Sequence, residues 1–175
     1  MSNSYTIHEL SPTAIRERAD ELAAILVDVV QGEASVGFMH PLDHARARDF
    51  WIGVATNAAS GDRVLLIAED ASGKAVGTVQ LVYAGPENQP HRADICKMLV
   101  HRKARKQGIG GALMKAIEDV ARREKKTVLV LDTASPDAER LYERSGWTRL
   151  GVIPDFALFP DGSFSPTTYY YKLLK

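Results

Sequence analysis

The chain predicts an α/β fold, a mixed sheet of about seven strands flanked by about four helices. Three observations predict it. Short β-rich runs alternate with segments of helical periodicity, a glycine-rich turn links a strand to a helix that a further apolar strand follows, and two strand-like runs close the chain. With 175 residues, 45% of them hydrophobic, the chain can bury a substantial core and reads as one domain over 1–175. No internal repeat, low-complexity tract or linker divides it.

Residues 5–10 read as a strand. Leu22, Ile25, Leu26, Val29 and Val30 then recur on one helical face, and Ser11-Pro12 marks the start of that helix, because serine caps and proline fits the first turn. Ala47, Phe50, Trp51, Val54 and Ala58 repeat the pattern in a second helix, with Asp43 placed to cap it and Gly61 to end it. Residues 64–69 and 75–83 are β-rich and joined by Asp70-Ala71-Ser72-Gly73, a hairpin-type connection that makes them antiparallel. After a loop over 85–90, residues 93–100 form a strand that enters the glycine turn. Leu113, Ile117, Val120 and Ala121 stripe the helix beginning near Gly111, with Lys115, Glu118, Asp119, Arg122 and Arg123 on its solvated side. Residues 127–131 are continuously apolar, as in a strand covered on both faces. Ser135-Pro136 opens another helix that Gly146 suits ending, so strand, turn, helix and strand make a βαβ unit with two parallel strands. The last strands, 147–152 and 167–173, flank a loop over 154–166.

The 22 basic and 22 acidic residues cancel, so no global field draws the chain to nucleic acid or to an anionic membrane, and no basic aromatic stripe marks a nucleic-acid surface. No apolar run approaches the length of a bilayer span, and the polar start of residues 1–4 lacks the pattern of a signal peptide; a cytoplasmic protein is expected. Cys96 is alone and so has no internal disulfide partner. With no base in a recognisable pattern beside it, it reads as a small core residue rather than a nucleophile. His40, His44, His91 and His101 show no metal-ligand spacing, and no metal is expected.

The most informative segment is Arg105-Lys106-Gln107-Gly108-Ile109-Gly110-Gly111. Glycines allow a tight turn, the first amides of a helix lack internal partners, and the helix dipole adds partial positive charge, so the segment reads as a phosphate site suited to a pyrophosphate. It is not the P-loop of nucleotide triphosphatases, since Ala112 and Leu113 stand where Lys-Ser/Thr should follow. Leu113 also replaces the third glycine of the dinucleotide fingerprint. The competing reading is a plain connection whose glycines merely permit the turn.

With Arg105-x-x-Gly108-x-Gly110 after a strand, and Leu141-Tyr142-x-x-x-Gly146-Trp147 later in the chain, the sequence resembles the GCN5-related N-acetyltransferases over nearly its whole length. The first motif matches that family's acyl-coenzyme A pyrophosphate loop and the second its leucine-tyrosine and glycine-aromatic signature. Gly32-x-Ala34-Ser35-Val36-Gly37-Phe38-Met39, Leu131-Asp132-Thr133, Pro160-Asp161-Gly162 and Pro166-Thr167 are similar to the tabtoxin-resistance acetyltransferases, a subgroup that modifies a β-lactam toxin. Fold-level kinship does not by itself fix the acceptor.

The resemblance implies acetyl-coenzyme A as cosubstrate, bound through Arg105, Lys106, Gln107, Gly108, Ile109, Gly110 and Gly111, with Leu99 and Val100 contacting the pantetheine arm from a strand that splays from its neighbour. Ser135 stands where many members carry an arm-binding asparagine, although a helix cap explains the serine equally well. Tyr142 corresponds to the general acid that protonates the leaving thiolate; the competing reading is an amphipathic core aromatic. A cationic amine must first lose a proton to some base, and Asp94 and Asp132 are the candidates because both could face the splayed cleft. Asp132 could instead bind turn amides, and Asp94, one carbon shorter than the glutamate of the tabtoxin group, could be a solvated strand residue. Ser35, Val36, Gly37 and Phe38 are expected in the acceptor wall with Phe156 as a neighbour, whereas Trp51 reads as core. The expected reaction is direct transfer of acetyl to a small amine or amino-acid-like acceptor. A protein or peptide N-acetyltransferase and a noncatalytic acyl-coenzyme A binding module are the competitors, and a homodimer is a family expectation only.

Overall fold

A computed structural model describes residues 5–175; the polar start, residues 1–4, lies outside them. The chain runs β1 (Tyr5–Leu10), α1 (Pro12–Glu17), α2 (Ala19–Gln31), α3 (His44–Ala59), β2 (Arg63–Asp70), β3 (Ala75–Tyr83), β4 (Arg92–Val100), α4 (Ile109–Arg123), β5 (Val128–Thr133), α5 (Pro136–Arg144), β6 (Thr148–Leu158) and β7 (Phe164–Leu173). The seven strands form one sheet ordered β1-β2-β3-β4-β5-β7-β6. Only β4 and β5 run parallel, across the βαβ unit that α4 completes.

Each face of the sheet carries its own core. On one face Ile15, Leu22 and Leu26 of α1 and α2, with Trp51 of α3, pack on Leu65 and Ile67. On the other, Leu113, Ile117 and Ala121 of α4 and Tyr142 of α5 pack on Leu66, Val79, Leu81 and Leu129. Strand β2 therefore buries successive residues in opposite directions, which is why it reads as an unbroken apolar run. The expected caps are present: Ser11, Asp43 and Ser135 accept from the amides of Ala14, Arg46 and Ala138.

Four expectations need correction. The first helix is two, because Arg18 leaves the helical region and its guanidinium turns to Glu21, Glu69 and the Gly73 carbonyl, so five helices replace four. Helix α4 begins at Ile109 rather than near Gly111. The loop over 154–166 is largely strand, with only residues 159–163 turning between β6 and β7. Its prolines are tolerated because Pro154 and Pro166 both fall within the register irregularity between the Ile153 and Ala157 pairings, where no ladder bond is required of them. Finally, Glu118 is not solvated. It is 6% exposed and accepts from Trp147 Nε1 at 3.0 Å and from Lys172 Nζ at 2.7 and 2.9 Å. Lys172 also donates to the Ser145 carbonyl at 2.6 Å, which ties α4, the end of α5 and β7 together.

Strand β6 forms one edge of the sheet and is apolar yet open to solvent, with Leu150 64% exposed and Val152, Ile153 and Phe156 also exposed.

Removing one partner of a buried ion pair leaves an uncompensated charge, so Lys172→Met should cost about 3–5 kcal/mol in urea unfolding. Adding Glu118→Leu should recover most of that loss; a single variant as stable as the parent would show that the pair contributes nothing.

Candidate active site

The site begins with a sheet that fails to stay closed. Strands β4 and β5 pair only at Arg92 with Val128, Ala93 with Leu129 and Asp94 with Val130; beyond these, β4 continues to Val100 and β5 to Thr133 without pairing. The divergence coincides with an irregularity between β3 and β4, where Lys97 adopts φ +50° and its carbonyl accepts from Thr78 Oγ1 at 2.8 Å. A cleft of about 290 Å³ opens there. Ile95, Met98, Ala138 and Tyr142 line it towards the α4/α5 face, and Ser35, Val36, Gly37, Leu99, Asp132, Phe156 and Thr167 line it towards the other.

From β4 the chain passes through a short 3-10 turn, Arg102–Ala104, into the glycine loop. Lys106 has φ +62° and Gly108, the N-cap of α4, has φ +81°. Glycine bears that left-handed conformation without a Cβ penalty. No side chain caps this end, and the first intrahelical bond is donated by Ala112 N to the Gly108 carbonyl, so the amides of Ile109, Gly110 and Gly111 have no intrahelical acceptor. A Cβ on Gly110 would lie 3.2 Å from Leu141 Cδ2, so α4 approaches α5 closely at this turn. Arg105 Nε donates to the Val100 carbonyl at 3.2 Å, bracing the loop on β4. Asp28 braces it from α2, accepting from Arg102 N at 2.8 Å and Nε at 3.0 Å. Burial pushes the Asp28 carboxyl up, but the two Arg102 bonds and the neighbouring His101 and Arg102 charges outweigh it and hold the pKa below its usual value.

Tyr142 is 4% exposed, with its ring centroid 5.8 Å from that of Tyr170 and 6.1 Å from that of Trp147. Burial first, and the Asp132 charge second, push its hydroxyl well above the ordinary tyrosine range. The group keeps its proton until a strong base forms beside it. Asp132, at the exposed end of β5, accepts from Thr167 Oγ1 at 2.7 Å. Thr167 is itself buried, so it holds that carboxylate oxygen in place.

The chain that carries this site matches, over residues 22–147, the family model described as the Acetyltransferase (GNAT) family. The chain belongs to the GNAT acetyltransferases. Solved structures share the fold. The ribosomal-protein-alanine N-acetyltransferase from Brucella melitensis superposes with TM-score 0.79 at 22% identity, covering 97% of this chain and 99% of that one. The Salmonella typhimurium yncA protein, solved with its cofactor acetyl-CoA, gives 0.79 at 19% identity over 99% and 95%. A GNAT-superfamily phosphinothricin acetyltransferase from Sinorhizobium meliloti, in complex with AcCoA, gives 0.81 at 16% identity over 98% and 89%.

In this GNAT chain the cleft brings together many of the residues expected from sequence and leaves others aside. Ser35, Val36 and Gly37 line it, and Ser35 Oγ donates to the Leu158 carbonyl at 2.9 Å, fastening the segment after α2 to β6. Phe38 instead packs edge-on against Phe50, with centroids 5.3 Å apart, outside the lining. Leu99 lines the cleft; Val100 lies beyond it and offers its carbonyl to Arg105. Ser135 Oγ is engaged as the α5 cap, accepting from Ala138 N at 3.3 Å. Asp94 shares a sheet face with Asp132, since it is in register with Val130, but it sits outside the lining and is ion-paired to Arg92 at 2.6 Å. Trp51 is wholly buried, as its helical spacing implied. Among the described residues no group of three or more His, Cys, Asp or Glu could hold a metal, and no helix is long and apolar enough to cross a membrane.

Several lining residues carry no signal of it in the sequence: Ala157 falls in the expected 154–166 loop, and Thr167 and Lys97 fall at ordinary strand positions. The alternation of β4 breaks at Lys97 in the burial pattern, but no residue type announces the bulge. Cys96 also lines the cleft, and burial pushes its thiol up despite the nearby Lys97 and Arg63 charges.

A raised pKa means less thiolate at neutral pH, so alkylation of Cys96 by iodoacetamide at pH 8 should be several-fold slower than that of an unstructured cysteine peptide. The midpoint of rate against pH should lie above the ordinary thiol value of 9.0; a midpoint below it would mark a reactive thiol.

Proposed function

We propose that this protein is an acetyl-CoA-dependent N-acetyltransferase that acts on the amine of a small molecule by direct transfer in a ternary complex. One observation carries the reading: Tyr142 and Asp132 line one cleft from its two sides, in the opening between β4 and β5. The cleft fits the cosubstrate, because the unpaired amides of Ile109, Gly110 and Gly111 offer a pyrophosphate site and the unpaired edge of β4 offers backbone groups to a pantetheine arm. The acetyl thioester supplies the activated carbonyl carbon.

Asp132, directly or through a water, takes the proton that a cationic amine must lose. As the new C–N bond forms and the C–S bond breaks, Tyr142 delivers its phenolic proton to the sulfur and later regains one from solvent. The net products are an amide, a free thiol and one proton. A covalent acetyl-enzyme is not needed, since Cys96 has a raised rather than a lowered pKa. Asp94 stands behind Asp132 as a second carboxylate on the same face and contributes charge more than contact.

The similarity of Ser35-Val36-Gly37 and Leu131-Asp132-Thr133 to the tabtoxin-resistance group supports a narrower reading, a β-lactam toxin or an amino-acid-like acceptor. The Sinorhizobium meliloti structure carries the name of an acetyltransferase for phosphinothricin. The Brucella melitensis structure carries one for a ribosomal-protein alanine, which keeps peptides as the second reading. The bond from Ser35 to Leu158 bridges the acceptor side of the cleft and favours a small acceptor over an extended chain.

The test is free-thiol release from acetyl-CoA over a panel of small amines, amino acids, toxin analogues and peptides. Tyr142→Phe should lower kcat about 10²-fold with the acetyl-CoA dissociation constant unchanged. Asp132→Asn should lower kcat by a similar factor of about 10², and Asp94→Asn by far less. Acetyl-CoA binding without acceptor-dependent release across the panel would favour a noncatalytic binding module, and equal losses at the two aspartates would overturn the division of roles.

A further inference from the structure

We infer that Lys97 anchors an anionic group of the acceptor, so that the acceptor is a zwitterion carrying an amine and a carboxylate. The inference rests on the acetyltransferase reading above and adds to it the residue that selects the acceptor. Among the residues lining the cleft, Lys97 is the one cation and Asp132 the one anion. The charge of Lys97 is uncommitted. Among the described residues no carboxylate lies within ion-pair distance of it, whereas the other cations on this face of the sheet are neutralised, Arg63 by Asp62 at 3.0 Å and Arg92 by Asp94 at 2.6 Å.

Its position is built rather than incidental. Lys97 holds a left-handed φ of +50° in a register irregularity of β4, a conformation that costs a side-chain-bearing residue free energy and that the Thr78 hydrogen bond to its carbonyl maintains. The ammonium lies 5.7 Å from the centroid of the Phe50 ring and 3.8 Å from where a Cβ on Gly37 would be. Phe50 thus offers a weak cation–π partner, and Gly37, with φ +90°, leaves the space beside the ammonium open. A half-buried ammonium without a counter-ion is costly, and a ligand anion would relieve it. Asp132 attracts the ammonium end of the same ligand and then accepts its proton. Opposite charges on one small cleft select against neutral amines, which satisfy Asp132 alone, and against simple carboxylates, which have nothing to acetylate.

The experiment compares kcat/KM for a panel of L-amino acids with that for their methyl esters and decarboxylated amines, in the parent, Lys97→Met and Lys97→Arg. The parent should favour the free acids by about tenfold or more. Lys97→Met should erase that preference through the acceptor KM, leaving the KM for acetyl-CoA unchanged, and Lys97→Arg should retain part of it. Aminoalkylphosphonates in the same panel report whether the site takes a carboxylate only or anions in general. Equal turnover of acids and esters by the parent, or a preference that survives in a folded Lys97→Met, would overturn the inference while leaving the acetyltransferase intact. If no amine is acetylated, calorimetry with N-acetyl amino acids against their methyl amides, in the presence of coenzyme A, reads the same charge requirement without turnover. Indifference to the carboxylate there would also overturn it.

Discussion

The structure depends on two strands parting. Backbone N–H and C=O groups left without partners inside a protein are expensive, so a parallel pair that closes over only three positions must be held apart by stronger attachments elsewhere. Here β4 is paired along its other edge with β3, and β5 with β7, over most of their lengths. Cores on both faces of the sheet hold those neighbours in turn. The free inner edges leave backbone groups that an extended ligand can pair, and the chain leaving β4 leads through the 3-10 turn to the helix whose first amides are unpaired.

That geometry divides labour between the two faces. The α4/α5 face presents Ile95, Met98 and the buried Tyr142, and the opposite face presents the segment after α2, Leu99, Asp132, Lys97 and the β6–β7 hairpin. Two side chains of the cleft are each fixed by buried neighbours: Asp132 by Thr167, and Tyr142 by Trp147 and Tyr170, whose rings lie tilted against its own. Trp147 is in turn bonded to buried Glu118, so the internal ion pair of α4 with Lys172 helps to place the ring of Tyr142. Such second contacts keep a cleft in one shape before ligand arrives, which lowers the cost of ordering it later.

What was legible in the sequence follows from how local each cause is. Ser135-Pro136, Asp43 and the turn at Gly73 act within a few residues, so helix starts and the first hairpin stand where the residues indicated. The glycine loop was legible because few other demands explain glycine at 108, 110 and 111 together with two cations. Long-range causes were hidden. The helix break at Arg18 depends on Glu69 and Gly73, more than fifty residues away, and the burial of Glu118 depends on Lys172. Pro154 and Pro166 read as loop because proline usually excludes strand; that they sit where β6 and β7 need no ladder bond is a fact of register alone. Asp94 and Asp132 read alike in sequence; the fold separates them, leaving Asp94 outside the cleft and paired with Arg92 and setting Asp132 in the lining, held by Thr167.

The open edge of β6 shows how this chain manages a hazard of its own making. A long, apolar strand at the border of a sheet is a template on which other chains can extend the sheet without limit. Strand β6 has that composition, yet Pro154 lacks an amide hydrogen, and Asp155, with φ +51°, places a charge beside it. The ladder is interrupted midway along its length, so the edge is not one continuous flat run. The same interrupted stretch carries Phe156, a residue of the cleft lining, so one irregularity both breaks the edge and contributes to the pocket.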